Sequence, residues 1–153
     1  DLPKKLTVQQ ILVFYARMYG VKNYMENIFL LAKELKIEKF LNKKFGTLSA
    51  GQKTKVGICK SLINKPKVLL LDEPTSSLDP ETSISVREFL KDYQKKMKSV
   101  IIVASHNMIE IEKICHSIII LKAGKIVLEG NTQELISNYQ KENLEELFLT
   151  KGN

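Results

Sequence analysis

Apolar and polar positions alternate in two distinct rhythms along this chain, and the change of rhythm falls near residue 65. Before it the spacing is helical. Residues 7–19 place Val8, Ile11, Leu12, Tyr15 and Met18 on one face, and Gly20 follows where a helix-ending glycine belongs. Asn23 is positioned to cap a second helix running to about Leu35. A short amphipathic piece over 37–42 and a loop over 43–47 lead to Ser49, which opens a third helix ending near Ile63. Beyond Lys67 the pattern becomes strand, helix, strand: an apolar run over 68–71, a helix from Pro80 to about Met97, and a second run over 100–104. Four apolar residues in a row predict a strand covered on both faces. A further helix over 108–115 precedes two strand-like runs, 117–121 and 125–129, joined around Ala123-Gly124 by a tight hairpin-like turn. Gly130-Asn131-Thr132 ends the sheet region, and helical segments over about 133–149 close the chain. This alternation predicts an α/β fold: a parallel core with an antiparallel finish, behind an amino-terminal helical segment. The expected divisions are 1–64, 65–130 and 131–153.

Composition narrows the class without naming a function. At 153 residues the chain suffices for one ordinary domain with a real core. Its longest apolar runs are strand-length, far below the roughly 20 residues of a membrane span. Lysine and arginine number 24 against 17 aspartates and glutamates, a formal charge of +7. The basic residues are scattered, as in Lys43-Lys44 and Lys95-Lys96, so solvated helix faces account for them and no nucleic-acid partner is implied. Cys59 and Cys115 stand far apart among apolar neighbours, which points to reduced core thiols and not to a disulfide or metal site.

Two constellations carry chemistry. The run over 68–71 ends in Asp72-Glu73-Pro74, followed by Thr75-Ser76-Ser77-Leu78-Asp79-Pro80. Ligands of open α/β sheets gather beyond the carboxyl ends of strands, where one carboxylate can hold Mg²⁺ and a second can orient a water against a phosphoryl group. Asp79, just ahead of Pro80, also suits a helix cap. The second constellation, Leu48-Ser49-Ala50-Gly51-Gln52, has the serine–glutamine spacing of a capping box and opens a helix whose free N–H groups suit a phosphate.

Together these residues resemble the carboxyl-terminal part of the ATP-binding subunit of an ABC transporter. Residues 48–52 are similar to the family signature, 68–73 to its Walker B strand with the catalytic glutamate, and 76–79 to its D-loop. His106, after the strand over 100–104, is similar to the switch histidine. The resemblance implies a partial P-loop NTPase core and these roles: Asp72 holds Mg²⁺, Glu73 activates water, and His106 reaches the γ-phosphate. Ser49, Gly51 and Gln52 would contact ATP held by a second subunit, and Asp79 would make contacts across that dimer. It further implies an integral membrane permease as partner and a place at the cytoplasmic face of the cell membrane. Ala50 departs from the commoner glycine, and alanine would resist a left-handed backbone there. The helical segment, with Leu6-Thr7-Val8, Phe14-Tyr15-Ala16-Arg17 and Tyr19-Gly20, resembles prokaryotic exporters of the sodium-extrusion or drug-efflux type.

No Gly-x-x-x-x-Gly-Lys-Ser/Thr loop occurs in the 153 residues, and the family's adenine-stacking aromatic and Q-loop glutamine are also missing. The opening Asp1-Leu2-Pro3-Lys4-Lys5 has neither an initiating methionine nor the apolar core of a signal peptide. The expectation is therefore a piece of a longer subunit: ATP is hydrolysed by the intact protein and not by this piece alone. The alternative is a soluble ABC ATPase of DNA repair or translation. Such proteins usually carry a coiled-coil insertion or paired domains, which this sequence lacks.

Overall fold

The computed structural model describes residues 2–151; Asp1 and residues 152–153, at the ends of the first and third expected divisions, lie outside it. The chain divides into two compact units, Asp1–Ile102 and Val103–Asn153.

The first unit begins with three helices, α1 (Val8–Met18), α2 (Tyr24–Glu34) and α3 (Ala50–Leu62). Thr7 caps α1 through a complete capping box with Gln10. The helix closes on Gly20, at φ +66°, whose N–H meets the Arg17 carbonyl while that of Val21 reaches Ala16. This is the paired bonding that a left-handed residue after a helix permits. Val8, Ile11, Leu12 and Ala16 are buried, whereas Met18 is exposed, against the expectation that it shares their face. Because α1 packs against both α2 and α3, its buried arc is rotated toward Leu12 and Ala16. Asn23 does stand at the cap of α2, but its left-handed backbone (φ 52°) leaves the side chain without a capping hydrogen bond.

Strand β1 (Val68–Asp72) follows, then α4 (Pro80–Met97) and β2 (Val100–Ala104). β1 and β2 pair. The 18-residue α4 between them is the crossover a parallel pair needs. Leu69 joins a core with Val56, Cys59 and Leu62 of α3 and Val86 and Leu90 of α4. The expectation that this strand is covered on both faces is not met. Val68, Leu70, Val100 and Ile102 are exposed, Leu70 by 72%. Alternate residues of a strand point to opposite faces, and this chain supplies a packing layer to only one of them.

In the second unit α5 (Met108–Ile114) precedes the antiparallel hairpin of β3 (Ser117–Lys122) and β4 (Lys125–Asn131). Ala123 and Gly124 both have positive φ, 49° and 74°. Two left-handed residues are what a two-residue hairpin turn with the strands' own twist demands. A bulge between Ile120 and Leu121 shifts the register, so that Ile120 faces Leu128 but Leu121 faces Ile126. The closing helical stretch is two helices, α6 (Thr132–Asn138) and α7 (Leu144–Lys151). Asn131 caps the first through the Gln133 and Glu134 amides. Glu112 of α5 accepts the Leu144 N–H at 2.8 Å, tying α7 to α5. Ile111, Ile118, Ile120, Leu135, Ile136, Leu144 and Leu147 form this unit's core.

Candidate functional site

Asp72 is the last residue of β1 and is exposed. Glu73 then turns the chain with a left-handed backbone, φ 47°. A residue with a side chain is held there at a cost of about 1–3 kcal/mol, which surrounding structure must offset. The restraint is local: Ser76 donates to the Glu73 carbonyl through both its N–H (3.4 Å) and its hydroxyl (3.1 Å). Pro74 and Thr75 are buried beneath the turn. The Thr75 hydroxyl is buried without a hydrogen-bond partner among the described residues.

Asp79 ends the loop as the cap of α4, accepting the Thr82 N–H at 2.9 Å with Pro80 in the first turn. That bond holds the Asp79 carboxyl below the ordinary carboxylate range, and nearby Lys55 adds a smaller pull in the same direction. Lys55 itself is lowered by burial and by Lys36, while Asp79 draws it the other way.

The capping box at α3 is complete. The Ser49 hydroxyl accepts the Gln52 N–H at 3.3 Å, and the Gln52 side-chain carbonyl accepts the Ser49 N–H at 3.1 Å. Of the orphan donors at this tip, those of Ala50 and Gly51 keep no partner among the described residues. Ala50 is the first residue of the helix, so no left-handed backbone is required of it. Gly51 is different. A Cβ there would lie 3.1 Å from both the Ser77 carbonyl oxygen and the Leu78 Cδ2. The glycine thus admits the loop that follows β1. The sequence singled it out for a phosphate, whereas its immediate neighbour is the chain's own backbone.

The first unit therefore brings Ser49, Gly51 and Gln52 to one helix tip that touches the loop between Glu73 and Asp79. Thr54, which the sequence did not single out, bridges them, with its hydroxyl 2.7 Å from that of Ser77. A threonine in the first helical turns and a doubled serine were the only cues, and neither is specific. His106 belongs to the second unit. It is exposed in the turn after β2, between Ser105 and Asn107, and Asn107 caps α5 by accepting the Glu110 N–H at 3.1 Å.

The comparisons bear on this arrangement directly. The family described as ABC transporter matches residues 2–76, a span that includes the α3 tip and the end of β1. The ABC transporter ATP-binding protein NatA of Bacillus subtilis is 30% identical over 149 residues, 96% of this chain and 60% of its own. Over nearly its whole length the chain is thus similar to an ABC transporter ATP-binding protein. A methionine import ATP-binding protein, MetN, of Halalkalibacterium halodurans is 49% identical over 83 residues, covering 54% of this chain and 25% of its own. Among solved structures, the ATP-binding subunit of an ABC transporter superposes with a TM-score of 0.90 at 25% identity, over all of this chain and 65% of that one. The cbiO1 protein of Clostridium perfringens, part of the transporter complex cbiONQ, gives 0.76 at 30% identity, over 92% and 56%. The fold is thus that of an ABC ATPase, with its helical segment and part of its parallel sheet. The chain spans about three fifths of NatA and about a third or less of the MetN relatives.

Proposed function

We propose that the polypeptide carrying this chain hydrolyses ATP to power transport through a separate membrane permease, as a dimer in which each copy completes the other's nucleotide site. The observation that carries the reading is the end of β1, where Asp72 and Glu73 open a loop whose Ser77 and Leu78 lie against a helix tip with unfilled N–H groups. Glu73 takes a proton from water as its oxygen attacks the γ-phosphorus; the bond to the ADP oxygen breaks, and phosphate leaves. His106 contacts the γ-phosphate. Ser49, Gly51 and Gln52 meet the nucleotide of the opposite subunit, where the Ala50 and Gly51 amides and the α3 dipole favour negative charge. Asp79 contacts the second subunit while capping α4.

Among the described residues no three or more His, Cys, Asp or Glu side chains gather as a metal cage. Mg²⁺ commonly takes only one or two carboxylates, completing its shell with water and phosphate oxygens, and the exposed Asp72 fits that donor set. When bound there, Mg²⁺ supplies neutralisation of the phosphate oxygens. No helix among the described residues is long and apolar enough to cross a membrane. A peripheral place on the cytoplasmic side, reached through the helical segment, agrees with that. The exposed Phe14, Met18, Phe29 and Leu30 give this segment an apolar surface for a permease. The relatives named for transport favour this reading over a soluble ATPase of repair or translation.

ATP turnover by the full-length polypeptide tests the proposal. Glu73→Gln should keep the fold and nucleotide affinity while lowering kcat by about 10²–10⁴-fold, the range of general-base catalysis. Unchanged turnover in that variant overturns it. The 153-residue chain alone should show no tight Mg·ATP binding in calorimetry.

A further inference from the structure

Gly51 lies one turn ahead of Thr54 and Lys55 on α3, and Gly51 and Thr54 meet the loop after β1. Gly51 lies against the Ser77 carbonyl and the Leu78 side chain, the Thr54 hydroxyl meets Ser77, and Lys55 senses the Asp79 charge. The Thr54 hydroxyl lies 2.7 Å from that of Ser77, where either can donate, and 3.2 Å from the Ala50 carbonyl. The chain Ser77 to Thr54 to Ala50 therefore runs from the loop into the first turn of α3. At its other end the same loop holds Glu73, through the two bonds from Ser76 to the Glu73 carbonyl.

We propose that Thr54 and Ser77 are a positioning pair, a latch that makes the α3 tip and the Glu73-bearing loop move as one body. This deepens the reading above and rests on it for its catalytic consequence. A phosphate engaging the α3 tip would then set the Glu73 backbone through Thr54, Ser77 and Ser76, with no direct contact between nucleotide and loop. Hydroxyls at both positions are required, because removing either leaves the other unpaired at the contact.

Two measurements on the full-length polypeptide separate the latch from its consequence. Amide hydrogen exchange at Ser76 and Leu78, whose N–H groups bond back to the Glu73 and Thr75 carbonyls, reads the loop without nucleotide. Thr54→Val should speed it about fivefold, the effect of one ordinary hydrogen bond, and Thr54→Ser should not. In ATP turnover, Thr54→Val and Ser77→Ala should each lower kcat about tenfold at constant KM. The double variant should be no worse than either, as expected of one shared interaction, and Thr54→Ser should restore the rate. Unaltered loop exchange overturns the latch. Altered exchange with an unaltered kcat, or losses that simply add, overturns its coupling to Glu73. If the wild-type protein turns over no ATP, the proposed function fails while the exchange arm still decides the latch.

Discussion

Glu73 and Cys59 show how differently two side chains of one unit can be constrained. Glu73 sits in a backbone conformation that a side chain disfavours, held by the two bonds from Ser76. Cys59 is simply buried. Loss of water around it pushes its thiol up to about 12, so the reactive thiolate is scarce at neutral pH. The folded state thus keeps a proton that the unfolded thiol releases near pH 8.5. Stability from this group is complete below that value and falls as pH rises toward 12, by up to about 1.4 kcal/mol per unit. Tyr93, also raised by burial, adds to the same limb. Denaturation across pH 8–11 should therefore give a flatter alkaline limb for Cys59→Ala than for the parent chain, and an identical limb would refute the assignment.

At the scale of the element, α3 is both a capped helix and one wall of the candidate site. Its two interior glycines separate these roles. Nothing lies within 4 Å of a Cβ placed on Gly57, whereas one on Gly51 meets the Ser77 carbonyl oxygen at 3.1 Å. Replacing a helical glycine by alanine ordinarily stabilises by about 0.5–1 kcal/mol. Gly57→Ala should gain that amount. Gly51→Ala should lose stability, because the carbonyl it meets belongs to a loop already tied at Glu73 and Asp79. Thermal melts of the two variants decide it, and equal gains would show the loop to be free to move.

At the scale of the whole molecule, the unmatched feature is apolar surface on strands. Val68, Leu70, Val100 and Ile102 line an open face of the β1–β2 sheet, and Ile119, Leu121 and Ile126 are exposed on the hairpin of the other unit. Contiguous exposed strand surface of this kind drives association. The 153-residue chain alone should sediment as oligomers. Leu70→Lys with Ile102→Lys should shift it toward monomer, since both charges fall on the open face and leave the buried Leu69 in place. A monodisperse monomer of the parent chain would contradict the expectation.

Much of this architecture was legible in the residues because it depends on nearest neighbours. Asp79 before Pro80, Ser49 three residues ahead of Gln52, Gly20 after α1 and Ala123-Gly124 between two apolar runs each act within a turn or two. Such short-range bonding follows from residue type and spacing alone. The carboxylates were legible for a related reason, since an apolar run ending in two acids is a strand end whatever surrounds it. Three things needed the packed chain: which face of β1 is covered, why Gly51 has no side chain, and that Thr54 reaches Ser77. The last two are meetings of residues more than twenty apart, and the first depends on how α3 and α4 both pack on β1. The distance between such segments is decided by how helices stack on strands, and no local pattern encodes it.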